Sequence, residues 1–435
     1  MTTRRNFFAG AAATAATAAL AACSGSSTGS TSTATAEDTS PVTLRFGWWG
    51  NAVRNKNTAQ VIADYMKLHP NVTITGEPGV WASYWDKLST QVAGNSAPDI
   101  IQMDEQYIRD YTKNGILADL SKLSIDTSKF AKGLVATGTI SGKVTALCAG
   151  MNALSIVANP ALFTKAGIDL PDDKTWTWDS LMTLAAQFNT KLPGMFGVNG
   201  GLFGDSVARA WMFQNGKTLF TDTGFGWEPA DMQSFFELMV KFQGAKAIPS
   251  AAENAQDASL GALAQQMFGV GKVAMVLTWS NQIAAQQAAV GQDCKILRLP
   301  SKTGKAKDAN LWYKSGQFQS ITSKSKNQAA AAKFLDYYFN NMDAGKVMLA
   351  ERGLPPNTDI LAGIKSSLGN ADQKATTYMS DLAPDIHAAP ASPPPGASTF
   401  GPIMQRYVEN VQFGRQSPAD AAKQFFDEAK SQLKS

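Results

Sequence analysis

Three places in the chain set aromatic side chains beside planar hydrogen-bonding groups: Trp48, Trp49, Asn51 and Arg54; Gln102, Asp104 and Tyr107; and Trp279 with Asn281. A pyranose has an apolar C–H face that lies flat on a ring and a rim of hydroxyls that need bidentate polar partners. Rings interleaved with amides, a carboxylate and a guanidinium therefore suit a sugar, whereas a simple ion needs no ring. Asp104 reads as a hydroxyl acceptor in preference to a helix cap. Consecutive strand residues face opposite ways, so at most one of Trp48 and Trp49 reaches a cleft directly, and Trp49 is the choice. Trp81 and Trp85 share a helical stripe and read as core, while Trp176 and Trp178 read as a helix start. Arg54 has a plainer alternative as a solvated residue beside Asn55, Lys56 and Asn57.

Bond-breaking chemistry fits less well, and no catalytic residue is expected. A secreted glycoside hydrolase is the alternative, since such enzymes combine tryptophans with two carboxylates. Asp104 or Glu105 would then need a partner across a cleft, and no second carboxylate follows a strand in the later half. The only histidines, His69 and His387, fall at a helix end and in a loop. Gly25-Ser26-Ser27-Thr28-Gly29 matches a hydrolase elbow but lies in a segment of tether composition. Gly269-Val270-Gly271-Lys272-Val273-Ala274 matches a dinucleotide fingerprint but precedes a strand instead of following one. No spaced Cys and His cluster suggests a metal, and no cofactor is expected. An adhesion protein would show a flat exposed apolar patch in place of a cleft.

The candidate residues follow strands. Val42, Leu44 and Phe46 alternate with Thr43 and Arg45, a strand pattern; Val61, Ile62, Tyr65, Met66 and His69 then recur at helical spacing up to Pro70. Val72 and Ile74 mark a second strand, residues 98–103 a third, and residues 107–114 a helix with Gly115 placed to cap it. Strand and helix thus alternate three times, which predicts an α/β unit with a parallel sheet covered by helices on both faces. Asn159 and Pro160 read as a helix start and Gly167 as its end; Thr177 reads as a second cap. Residues 273–278 form a buried-strand run, and 329–339 and 419–433 read as amphipathic helices. The proline-rich stretch 388–397 reads as an ordered surface loop.

The first forty residues are of another kind. Arg4 and Arg5 precede Phe7, Phe8 and an alanine-dominated stretch, 9–22, which predicts an export signal of twin-arginine type, with general secretion also open. Leu20-Ala21-Ala22-Cys23 resembles a lipobox, so Cys23 is the expected site of lipidation and of membrane anchoring by more than one acyl chain. Residues 23–40 have the composition of a flexible tether, and the folded body is expected from 41. Removing residues 1–22 lowers the formal charge from +4 to +2, a near balance that argues against nucleic acid as a partner. Cys148 and Cys294 remain, as one disulfide or as two buried thiols.

Five segments in order carry a family resemblance: Leu44-Arg45-Phe46-Gly47-Trp48-Trp49-Gly50; Ala97-Pro98-Asp99-Ile100-Ile101-Gln102-Met103-Asp104; Gly115-Ile116-Leu117-Ala118-Asp119-Leu120; residues 159–167 followed by Trp176-Thr177-Trp178-Asp179; and Gly271-Lys272-Val273-Ala274-Met275. Together the chain resembles the family 1 extracellular solute-binding proteins of sugar ABC transporters. The resemblance implies an α/β, two-lobed periplasmic-binding-protein-like fold of class II, with the ligand in a cleft between lobes joined by two or three crossing segments. Lobe one would comprise 41–149 and 315–356, and lobe two 150–314 and 357–435. Binding positions would fall near Tyr107, Asn152 and 279–281. Trp211, on an apolar helix in the second lobe, and Trp312, near the crossing segments, join the candidates. The implied protein is a monomer on the outer face of the cytoplasmic membrane that passes a carbohydrate, an oligosaccharide by the number of its rings, to the permease subunits of an importer.

Overall fold

The computed structural model describes residues 40–50, 52–260 and 262–433; the export signal, Cys23, most of the tether and Asn51 lie outside the described residues. The alternation at the start of the body produces strand β1 (Val42–Trp49), and the next two repeats give β2 (Val72–Gly79) and β3 (Ile100–Met103). Helices Ala52–Leu68, Trp81–Ala93 and Glu105–Lys113 follow each in turn. A two-stranded ribbon, β4 (Thr139–Ile140) and β5 (Lys143–Val144), turns through Ser141 and Gly142, both at positive φ. Then come β6 (Leu147–Asn152), β7 (Leu154–Ala158), β8 (Phe196–Val198), β9 (Val273–Trp279), β10 (Lys295–Leu297) and β11 (Lys314–Ile321).

These strands make two separate larger sheets, β2-β1-β3-β11-β6 and β10-β7-β9-β8. The first is parallel only across β2, β1 and β3; β11 runs antiparallel to both β3 and β6. The three alternating units form the expected parallel part, and β11 adds to it antiparallel because it enters from the second sheet instead of returning through a crossover helix. Trp48 and Trp49 part to opposite faces, as a period of two requires. Trp48 joins Phe46, Ile62 and Phe334, while Trp49 joins Tyr84, Leu88 and Ile108. The largest core surrounds the second sheet, with Ile156, Phe188, Phe203, Phe235 and Phe425 fully buried.

Local punctuation falls where the residue types demand it. Asn159 caps helix Pro160–Ala166 and Gly167 ends it at φ +60°. Thr177 and Ser180 form a reciprocal cap on helix Trp178–Lys191. Cys148 and Cys294 are both buried as free thiols, so of the two alternatives the disulfide is not formed. Burial pushes each thiol up to about 11.

The chain changes sheets across a single residue, Ala153, between β6 and β7. Lys314 opens β11 opposite Asn152, and Leu354 pairs antiparallel with Met151 through bonds of 2.8 and 3.1 Å. Three segments therefore run side by side between the sheets. Their closeness dictates glycine: a Cβ on Gly150 would lie 2.1 Å from the Arg352 carbonyl oxygen, and Gly353 sits at φ +109°.

Candidate functional site

A cavity of about 310 Å³ opens where the carboxyl end of β3 and the start of β11 face the end of β9 and helix Asp205–Gln214. Asp104, Glu105, Gln106 and Lys314 contribute from the first sheet's side; Asp205, Arg209, Phe220 and Trp279 from the second's. Pro393, Phe400 and Pro402 complete the wall.

Asp104 and Glu105 are neighbours with opposite electrostatics. Asp104 caps helix Glu105–Lys113, one oxygen accepting from the Gln106 amide at 3.0 Å, and has no ion pair among the described residues. Burial drives its carboxyl above the ordinary range, outweighing that amide and the more distant Lys314. For Glu105 burial also pushes upward, but the Arg209 guanidinium and Lys314 hold it below the usual value. Both Arg209 Nη atoms reach one Glu105 oxygen at 3.0 Å, and Lys314 Nζ stands 4.0 Å from the other. Arg209 is itself fixed: it donates to the Ala391 carbonyl at 2.7 Å and lies 5.6 Å from the Trp312 ring centre and 5.8 Å from that of Phe220. Asp205 supplies the carboxylate on the far wall that the sequence reading lacked.

Rings stand around these charges. The Trp279 ring closes β9 with Lys314 Nζ 4.7 Å from its centre, and Trp312 is buried edge-on to Phe213. Behind Asp104, Tyr107 stacks on Trp85 at 3.8 Å, and Trp49 supports Trp81 edge-on at 5.1 Å. Trp81, read from its helical stripe as core, is 43% exposed, while Trp49 beneath it is 7% exposed.

The structure thus gathers Asp104, Trp279 and Trp312 on the cavity, with Trp49 and Tyr107 in the adjoining aromatic cluster. It places the others elsewhere. Trp48 is in the core, its ring N–H donating to Asn55 at 2.9 Å. Gln102 is fully buried between the Trp49 carbonyl and Arg352. Arg54 pairs with Glu351 at 2.8 Å in place of being solvated. Asn152 is buried among the crossing segments, close to Gly316 and Gly353. Trp211 lines a separate cavity of about 260 Å³ with Trp178, its N–H donating to Ser234 at 3.0 Å. Two residues on a helix point about 200° apart, so Arg209 and Trp211 cannot share the cleft. Asn281 follows Trp279 in the turn Ser280–Gln282 and does not line the cavity.

Residues 60–377 match the sequence profile of the family described as bacterial extracellular solute-binding protein. The chain belongs to that family. Its members are binding proteins, and the α/β fold with two lobes seen here is the one they share. This solute-binding protein is similar to the diacetylchitobiose binding protein DasA of Streptomyces coelicolor, 23% identical over 372 residues and covering 81% of each chain. Among solved structures it is similar to the extracellular solute-binding protein family 1 from Alicyclobacillus acidocaldarius, with a TM-score of 0.76 and 25% identity over 91% of this chain and 99% of the other. A periplasmic oligogalacturonide binding protein from Yersinia enterocolitica superimposes with a TM-score of 0.75 at 21% identity over 89% of this chain and 98% of the other. The family places this solute-binding protein outside the cytoplasm. No helix among the described residues is long and apolar enough to cross a membrane, and no described cluster of His, Cys, Asp or Glu suits a metal.

Proposed function

We propose that this solute-binding protein captures an oligosaccharide in the 310 Å³ cavity and delivers it to the permease subunits of an ABC importer. The observation that carries the reading is that the Asp104 carboxylate, free of any ion pair among the described residues, lines the same cavity as the Trp279 and Trp312 rings. Rings take the sugar's C–H face and Asp104 accepts from its hydroxyls. The saccharides in the names of two similar proteins, diacetylchitobiose and oligogalacturonide, support the class. Lobe one comprises about 41–149 and 315–356, lobe two about 150–314 and 357–435, and the monomer closes about the three adjacent segments. Glu105–Arg209 and Arg109–Asp222, the latter at 2.8 Å, tie the two sides together in the closed state.

The test is a thermal-shift screen against neutral and acidic glycans with scattering on any hit. A bound saccharide raises the melting temperature by mass action and reduces the radius of gyration. A panel with no responder sinks the carbohydrate assignment, and a responder without compaction sinks the hinge.

The anchor is a lipid on Cys23. Cys23→Ser is expected to move the protein from the membrane fraction to the soluble fraction, because stable anchoring takes at least two acyl chains. Membrane association that survives the substitution refutes it.

A further inference from the structure

Arg352 is 3% exposed and yet has no carboxylate within ion-pair distance among the described residues. Its Nη atoms donate only to neutral oxygens: Gln102 Oε1, Gln317 Oε1 at 2.9 Å and Thr58 Oγ1 at 2.8 Å. Its chain neighbour Glu351 is engaged by Arg54 at 2.8 Å. The Nε atom of Arg352 and the Tyr338 hydroxyl are buried facing each other, and neither makes a well-formed hydrogen bond to any other group among the described residues. Both residues line a pocket of about 30 Å³, whose remaining walls are backbone and apolar side chains such as Phe339, Met348 and Ile360.

A buried guanidinium without a counter-charge is among the costlier arrangements a core can hold. A water molecule would satisfy the two donors but leave the charge standing; an anion answers both. A water-sized guest needs about 10–15 Å³, so a pocket of about 30 Å³ has room for a small anion. We propose that Arg352 and Tyr338 hold a halide, chloride under physiological conditions, beneath the segment 349–356. That segment is the third of the strips crossing between the sheets. Leu349 enters it at φ +48°, a strained conformation for a leucine, and Gly353 leaves at φ +109°. The ion rivets this strained strip to helix Gln328–Asn340, which carries Tyr338, and through Gln102 it braces the backbone at Trp49.

The decisive experiment grows crystals of the protein with sodium bromide in place of chloride. An anomalous peak beside Arg352 Nε and the Tyr338 hydroxyl is expected; an anomalously silent water or an empty pocket overturns the proposal. In solution at constant ionic strength, exchanging gluconate for chloride is expected to raise the melting temperature saturably. Tyr338→Phe, which keeps the ring, is expected to lose most of that rise. An undiminished chloride response in Tyr338→Phe also overturns the site.

Discussion

Asp104→Asn is expected to raise the melting temperature of the unliganded protein while weakening saccharide binding by about tenfold or more, the scale of a well-packed contact in a desolvated site. Asparagine caps a helix as well as aspartate, so the bond from the Gln106 amide survives the change. What disappears is a buried charge without an ion pair. The Asp104 carboxyl titrates higher in the folded chain than in the unfolded one. Its contribution to stability is therefore fully present below the unfolded value and lost as pH rises through the raised one. The gain from asparagine should accordingly be larger at pH 7 than at pH 4. Calorimetric titration and thermal unfolding of the same preparation check both halves. A variant that melts as wild type does and binds as before would show Asp104 to be a cap and nothing more.

Arg209→Ala is expected to cost about 3–5 kcal/mol, because it strands Glu105 in a site where both side chains are more than four-fifths buried. The substitution also removes the bond to Ala391 and the guanidinium beside Trp312 and Phe220. Glu105 is held low in the folded protein, so its stabilising contribution is present above the unfolded value and lost as pH falls through the depressed one. Without Arg209 burial is left to dominate and the sign reverses: the variant should gain stability relative to wild type as the solution is acidified through the carboxylate range. Denaturant unfolding from pH 3 to 8 reads this directly. The double variant Glu105→Gln, Arg209→Met should recover part of the loss, since neither buried partner is left charged and only the part-exposed Lys314 gives up a 4.0 Å contact. A pH profile parallel to wild type would mean that the pair is not the clamp described here.

The legible part of this molecule is the part written in near neighbours. The alternation from Val42 to Trp49 predicts β1 and sends Trp48 and Trp49 to opposite faces. Asn159, Pro160, Gly167 and Thr177 place helix ends to within a residue or two. Asp104 follows a buried strand, and there it caps the next helix, the role that the sequence alone ranks second. Each depends on dihedral preference and on a period of two or 3.6, which act over a few residues.

Other features have no such signature. Gln102 looked open to ligand from its place at a strand end, but β11 pairs with it through Gln319, 217 residues later, and its amide is taken up by the Trp49 carbonyl and Arg352. Trp81 looked like core from its stripe, yet Trp49 fills the space beneath and leaves its ring outside.

By itself the sequence determined the alternating α/β units at the start of the body and the caps of later helices. Only the tertiary structure decided that Glu105 meets Arg209 across 104 residues, that the proline-rich stretch lines the cavity, that Trp211 turns away, and that Arg352 is buried with no carboxylate in ion-pair reach among the described residues. Contacts at that separation depend on how two independently packed sheets meet, and no local pattern of residues encodes the meeting of distant surfaces.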